Sequence, residues 1–171
     1  MLVIKYFSIT FIVIISTIVG ILYSNKYEKR LKELEDIKRG LNIFKTKIGF
    51  TYEPIPEVFT QIEKQLNSSI GKMFLVASKN MEKDDAGKSW ENAVREEKVH
   101  TNLDKRDIEV ILGLSKMLGQ TDLDGQINNI DLTCSLIDNQ IAEARISKNK
   151  NEKMYKTLGT TIGLAIAIIL I

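Results

Sequence analysis

The segment TDLDGQINNIDLTCSLIDNQIAEARISKNKNEKMYKTLGTTIGLAIAIILI, residues 121–171, decides how the rest of the chain is read. It holds no proline, so nothing in it forbids one long helix. Leu123, Ile127, Ile130, Cys134, Ile137, Ile141 and Ala144 recur at alternating four- and three-residue spacing. That is the apolar seam of an amphipathic helix, which Leu132 and Leu136 are expected to widen into a face meeting several helices. A core helix of a bundle and a dimeric coiled coil both satisfy such a seam. The shorter apolar faces elsewhere in the chain need a partner, which favours the core role. Thr121 with Asp124 is the expected capping pair at the start. Residues 147–153 lose the seam and read as a solvated Lys/Asn segment where the helix can bend. Residues 158–171 then carry no charge. They are short of a full span, but suffice once Met154, Tyr155 and Lys156 are added, with the Lys156 ammonium reaching toward headgroups.

The opposite end matches. Residues 2–23, LVIKYFSITFIVIISTIVGILY, carry one charge, Lys5. At ~1.5 Å per residue this stretch crosses a hydrocarbon core of ~30 Å. Its many β-branched residues would favour a strand in water, but in lipid the backbone must satisfy its own hydrogen bonds, and a helix does so. A cleaved signal peptide is the alternative; the apolar run is long for one, and residues 22–25 make a poor cleavage site.

Between the ends lie amphipathic segments. Residues 26–50 place Tyr27, Leu31, Leu34, Ile37 or Lys38, Leu41, Phe44 and Ile48 on one helical face, with Gly49 expected to end the helix. Glu53-Pro54-Ile55-Pro56 forces an extended kink. A helix with Val58, Phe59, Ile62 and Leu66 follows, then one with Ile70, Met73, Phe74, Ala77 and Met81 after a break at residues 67–69. Ser89 is the expected N-cap of a helix carrying Trp90, Ala93 and Val94. Residues 103–118 form the next helix, closed by Gly119. The chain is therefore read as all-α: a membrane-anchored bundle of about six helices flanked by N- and C-terminal transmembrane helices. The divisions are 1–24 for the first span, 25–153 for the bundle and 154–171 for the second span.

Two spans make a hairpin with both termini on one side. Lys26, Lys29, Arg30 and Lys32 after the first span, and Lys148, Lys150, Lys153 and Lys156 around the second, outweigh Lys5 on the outer side. The positive-inside rule then places the bundle in the cytoplasm. Ser16 and Gly20 in the first span and Gly159 and Gly163 in the second offer small faces through which the spans can pack closely as an antiparallel pair.

Little in the chain suggests chemistry. The balance of 24 Lys+Arg against 22 Asp+Glu argues against a nucleic-acid binder. A single cysteine rules out an intrachain disulfide, and with a single histidine no zinc cluster can be assembled. Ala86-Gly87-Lys88-Ser89 resembles the end of a phosphate loop, but Glu82 stands where the pattern needs glycine and no strand precedes it. Asp84 and Asp85 read as solvated charges. No catalytic, metal or cofactor site is expected, and the chain is read as a non-enzyme.

Several motifs together resemble one family. They are Tyr52-Glu53-Pro54-Ile55-Pro56-Glu57, Ser89-Trp90, the Leu118-Gly119…Asp122…Gln126 run, and Glu152-Lys153-Met154-Tyr155-Lys156-Thr157-Leu158-Gly159…Gly163 leading into an apolar tail. Their order and spacing over the whole chain resemble stage III sporulation protein AB of endospore-forming Firmicutes, itself similar to the F-type inner-membrane platform proteins of type II secretion and type IV pilus systems. Ile55, where leucine is expected, and Gly125 early in the last helix depart from the pattern.

The resemblance implies a platform or adaptor of a secretion-like channel complex in the outer forespore membrane. Its bundle would lie in the mother-cell cytoplasm against the companion AA-type ATPase, with other stage III channel proteins and membrane lipid as further partners. Trp90, Gly119, Asp122 and Gln126 are candidates for an ATPase-facing patch or for structural roles as core anchor, C-cap, N-terminal carboxylate and local hydrogen-bond donor. The competing reading is a two-span signalling or sensor protein with an extracellular helical bundle; the charge flanks and the lack of an output domain argue against it.

Overall fold

The structure, a computed structural model, describes the backbone of residues 2–170 and every side chain among them except those of residues 2–6, 8, 9, 156 and 170. The side chains of Lys5 and Lys156, which the sequence places on the outer side and at headgroup level, lie outside this described set. Among the described residues six α-helices follow in order: α1 (Leu2–Thr46), α2 (Ile55–Leu66), α3 (Ser69–Asn80), α4 (Ala86–Glu97), α5 (Lys105–Gly113) and α6 (Leu123–Leu170). No strand occurs among the described residues. The chain divides into two compact units, one of residues 30–143 and one of residues up to 29 together with those from 144 onward. The Lys/Asn segment of residues 147–153 lies within α6 without a break in its helix.

Within residues 30–143, the C-terminal half of α1 and the N-terminal half of α6 run antiparallel. Lys38 Nζ meets Asp138 Oδ1 at 2.6 Å and Lys45 Nζ meets Asp131 Oδ2 at 2.6 Å. Seven residues forward on α1 thus match seven backward on α6. Both pairs are exposed, and such pairs contribute no more than ~1 kcal/mol. They mark the register more than they hold it. The holding comes from Leu34, Ile37, Leu41 and Phe44 on α1 and Ile130, Cys134 and Ile137 on α6, all buried. The aliphatic and aromatic side chains of such a core each stabilise by roughly 1.5–3 kcal/mol when removed from water.

Helices α2, α3 and α4 complete the core with aromatic rings. Phe44 stands edge-on to Phe59 at a centroid distance of 5.1 Å, Phe59 edge-on to Phe74 at 5.0 Å, and Phe74 lies 4.9 Å from Trp90. Edge-to-face geometry suits the ring quadrupoles. Of the expected apolar faces, Val58, Phe59, Ile62 and Leu66 on α2 and Ile70, Met73, Phe74 and Ala77 on α3 are buried, while Met81 follows α3 as its C-cap and is half-buried.

The local punctuation differs from the sequence reading at five places. Asp85, not Ser89, caps α4 by accepting the Lys88 N–H at 2.9 Å, and Ser89 is buried one turn inside the helix. Asp122, not the Thr121–Asp124 pair, caps α6 by accepting the Gly125 N–H at 2.9 Å. The expected helix over residues 103–118 is shorter: α5 starts after Asp104 and gives way to a 3-10 turn at Leu114–Lys116. Gly49 does not end α1; the helix widens into a π-helical segment, Lys47–Thr51, and the chain turns at Tyr52. Leu132 and Leu136 do not widen the core face, since Leu132 is 60% exposed and Leu136 41%.

One long-range connection had no sequence signal. Arg30 on α1 donates to both oxygens of Asp107 on α5, from Nε at 2.7 Å and from Nη2 at 2.9 Å. Its Nη2 also lies 2.9 Å from Asp104. Asp107 is fully buried, and its carboxylate accepts the Asp104 N–H at 2.8 Å while Asp104 accepts the Asp107 N–H at 3.0 Å, a reciprocal capping box. One turn along α1, Glu33 accepts the Asn102 N–H at 2.6 Å and the Asn102 side-chain amide at 3.0 Å. These contacts tie the loop before α5 to α1. A bidentate, planar donor pair is geometry that lysine cannot reproduce. Removing one partner leaves the other charge buried, so Arg30→Ala and Asp107→Ala are each expected to destabilise the chain by ~3–5 kcal/mol, with Arg30→Lys recovering little. Denaturant unfolding of the full chain in detergent, followed by fluorescence of Trp90, checks this.

Candidate functional site

The four residues singled out as patch or scaffold fall into two settings. Trp90 is 0% exposed, and its Nε1–H donates to the Ile111 carbonyl at 2.9 Å. It links α4 to α5 and offers no surface to a partner. Gly119, Asp122 and Gln126 lie together at the entry to α6. Gly119 holds φ +73°, a left-handed conformation that disfavours any side chain, and a Cβ there would lie 3.1 Å from Ala86 on α4. Asp122 is exposed and caps α6. Gln126 donates from Nε2 to the Thr121 carbonyl at 3.2 Å, folding back over the same turn. All three form the joint by which the chain enters α6; Gly119 and Asp122 are exposed to solvent and Gln126 is half-buried.

A second feature of this unit was not anticipated. The π-helical segment carries Phe50 into solvent, and the turn that follows puts Tyr52 at φ 53°, ψ 30°. A bulky non-glycine residue in that region carries strain on the order of 1–3 kcal/mol. The turn is pinned by Glu53, which accepts from Lys47 Nζ at 2.9 Å and Gln61 Nε2 at 2.6 Å and lies 2.8 Å from Thr51 Oγ1. The Lys47 bond first, then those of Thr51 and Gln61, holds the Glu53 carboxyl below the ordinary glutamate range. A depressed carboxyl stabilises the fold above its unfolded-state pKa, and this contribution disappears as pH falls through the folded value. The Glu53-Pro54-Ile55-Pro56 motif was legible as a kink; its role as a hydrogen-bond hub was not.

The other unit holds the small-residue set. Ser16 Oγ donates to the Gly159 carbonyl at 2.6 Å. A Cβ on Gly20 would fall 2.7 Å from the Tyr155 carbonyl oxygen and 3.0 Å from Gly159 Cα, and one on Gly163 would fall 3.1 Å from Val13 Cα. Ser16, Gly20, Gly159 and Gly163 therefore meet at the line of closest approach between the two helices. Tyr155 stacks against Tyr23 at 6.0 Å and Tyr27 at 5.9 Å at one end of this line. The large side chains Phe7, Phe11, Ile14, Leu22, Ile162, Leu164, Ile168 and Ile169 point outward and are exposed.

Among the described residues no group of three or more His, Cys, Asp or Glu side chains could hold a metal ion. Cys134 is buried in the α6 seam, and desolvation pushes its thiol pKa up, which suppresses the thiolate a nucleophile requires.

The model of the stage III sporulation protein AB family matches residues 5–171. The chain belongs to the stage III sporulation protein AB family. A curated relative, stage III sporulation protein AB of Bacillus subtilis (strain 168), is 27% identical over 168 residues, covering 97% of this chain and 98% of its own. A solved structure of stage III sporulation protein AB superposes with a TM-score of 0.67 at 22% identity, over 71% of this chain and 97% of that one. The all-α fold of this AB-family chain is thus shared with a solved member.

Within this AB-family protein the joint residues separate by substitution. Gly119→Ala and Asp122→Ala are each expected to lower stability by ~1 kcal/mol, the first through the left-handed backbone and the second through the lost cap. Thermal melting of the full-length chain measures both.

Proposed function

We propose that this AB-family protein is a non-enzymatic membrane platform: a two-pass anchor that holds a cytoplasmic helical bundle where a sporulation-specific ATPase docks. The bundle faces the mother-cell cytoplasm from the outer forespore membrane, both termini lie on the far side, and the other partners are channel proteins of the same developmental stage. The observation that carries the reading is the inverted construction of the unit formed by the chain's two ends. Small residues line its centre and large apolar side chains cover its outside. A surface so apolar is unfavourable in water and suits a lipid environment, where close packing of small residues replaces the hydrophobic drive. One helix near the N-terminus has the length and composition to cross a membrane, with mean hydropathy 1.3 over its apolar window. Membership of the AB family supports the sporulation context.

Co-purification of the affinity-tagged full chain from sporulating cells tests the reading. The companion AA-type ATPase and at least one further channel protein are expected in the eluate. Repeated recovery of the chain without either would sink the platform assignment.

A further inference from the structure

The turn after α1 poses a physical question. Phe50 is 83% exposed and Tyr52 75% exposed, while most other aromatic residues of the 30–143 unit are buried. The backbone that displays them is not slack: it combines a π-helical segment with a left-handed non-glycine residue, and the Glu53 hub pins both. The two rings are thus held in water by the same contacts that hold the strain. Strained backbone fixed by its surroundings and exposed apolar rings are both features of binding surfaces.

The charge around the rings narrows the choice of partner. The α1–α6 register that pairs residue 38 with 138 and 45 with 131 also brings Gly49 against Ile127, to whose Cδ1 a Cβ on Gly49 would stand at 3.4 Å. Asp124 stands three residues, just under one helical turn, before Ile127 on α6. Glu57 lies in the first turn of α2, immediately beyond the pinned segment. Asp122, Asp124 and Glu57 are exposed and form no ion pair among the described residues. Exposed aromatic faces on a turn that meets the carboxylate-bearing first turns of α2 and α6 are complementary to a guanidinium, which stacks on rings and bonds carboxylates through its planar donors.

We propose that Phe50 and Tyr52, flanked by Asp124 and Glu57, form a docking hook for an arginine-bearing face of the partner ATPase. The hook rests on the platform reading and assigns its contact surface, away from the buried Trp90. The test uses the full chain in nanodiscs and the purified AA-type ATPase. The double variant Phe50→Ala, Tyr52→Asn keeps a residue that tolerates the left-handed turn. It is expected to weaken binding at least tenfold without lowering the thermal melt monitored through Trp90. Asp124→Lys is expected to weaken binding several-fold at low salt. Arginine hydrochloride is expected to release the complex at concentrations where lysine hydrochloride does not. Full affinity in the double variant overturns the hook while leaving the platform reading intact. Equal release by the two amino acids overturns the guanidinium assignment. If the wild-type chain does not bind the ATPase, the platform reading falls and the hook falls with it.

Discussion

Antiparallel packing of α1 against α6 is the interaction on which the bundle of residues 30–143 depends. Each helix brings one apolar stripe, and each stripe buries its side chains at roughly 1.5–3 kcal/mol apiece. The exposed ion pairs Lys38–Asp138 and Lys45–Asp131 add little energy but are consistent with only one register. Once that register is set, α2 to α4 have one place to insert their phenylalanines and Trp90. The Arg30–Asp107 pair then fastens the loop before α5 to the same long helix. A charge pair this buried adds specificity more than stability, because each partner alone would be strongly unfavourable there.

The sequence was most readable where one physical signal acts alone. The seam from Ile130 to Ala144 has helical period and burial pointing the same way, so the core role of α6 could be read directly. The same holds for Val58, Phe59, Ile62 and Leu66. The width of a face is a different matter. Leu132 and Leu136 sit at compatible spacing, yet they turn to solvent because α1 covers only a narrow strip of α6. Caps were misplaced by one to four residues, because Asp85 competes with Ser89, and Asp122 with Thr121, and each is an acceptable acceptor. Only the position where the chain enters the helix decides between them.

Other features had no local signature at all. Arg30 and Asp107 are 77 positions apart, and each reads as an ordinary helix charge. The π-helical widening of α1 and the left-handed Tyr52 are accompanied by the hydrogen bonds of Glu53 to Lys47, Thr51 and Gln61, which no local pattern announces. The motif resemblance reached the family because it used the order of many weak marks over the whole chain. Of the residues in those marks, Trp90 is buried in the core and Gly119 holds a left-handed turn, whereas Tyr52 and Glu57 are exposed.

The proposed platform requires residues 30–143 on the cytoplasmic side of a membrane and both termini on the other. Single-cysteine labelling tests this most directly, in a Cys134→Ser background expressed in intact cells and probed with a membrane-impermeant maleimide. Val99→Cys, on an exposed turn of the bundle, should label only after lysis, and a cysteine appended after Ile171 should label in intact cells. Labelling of Val99→Cys in intact cells, or of the appended cysteine only after lysis, would contradict the account.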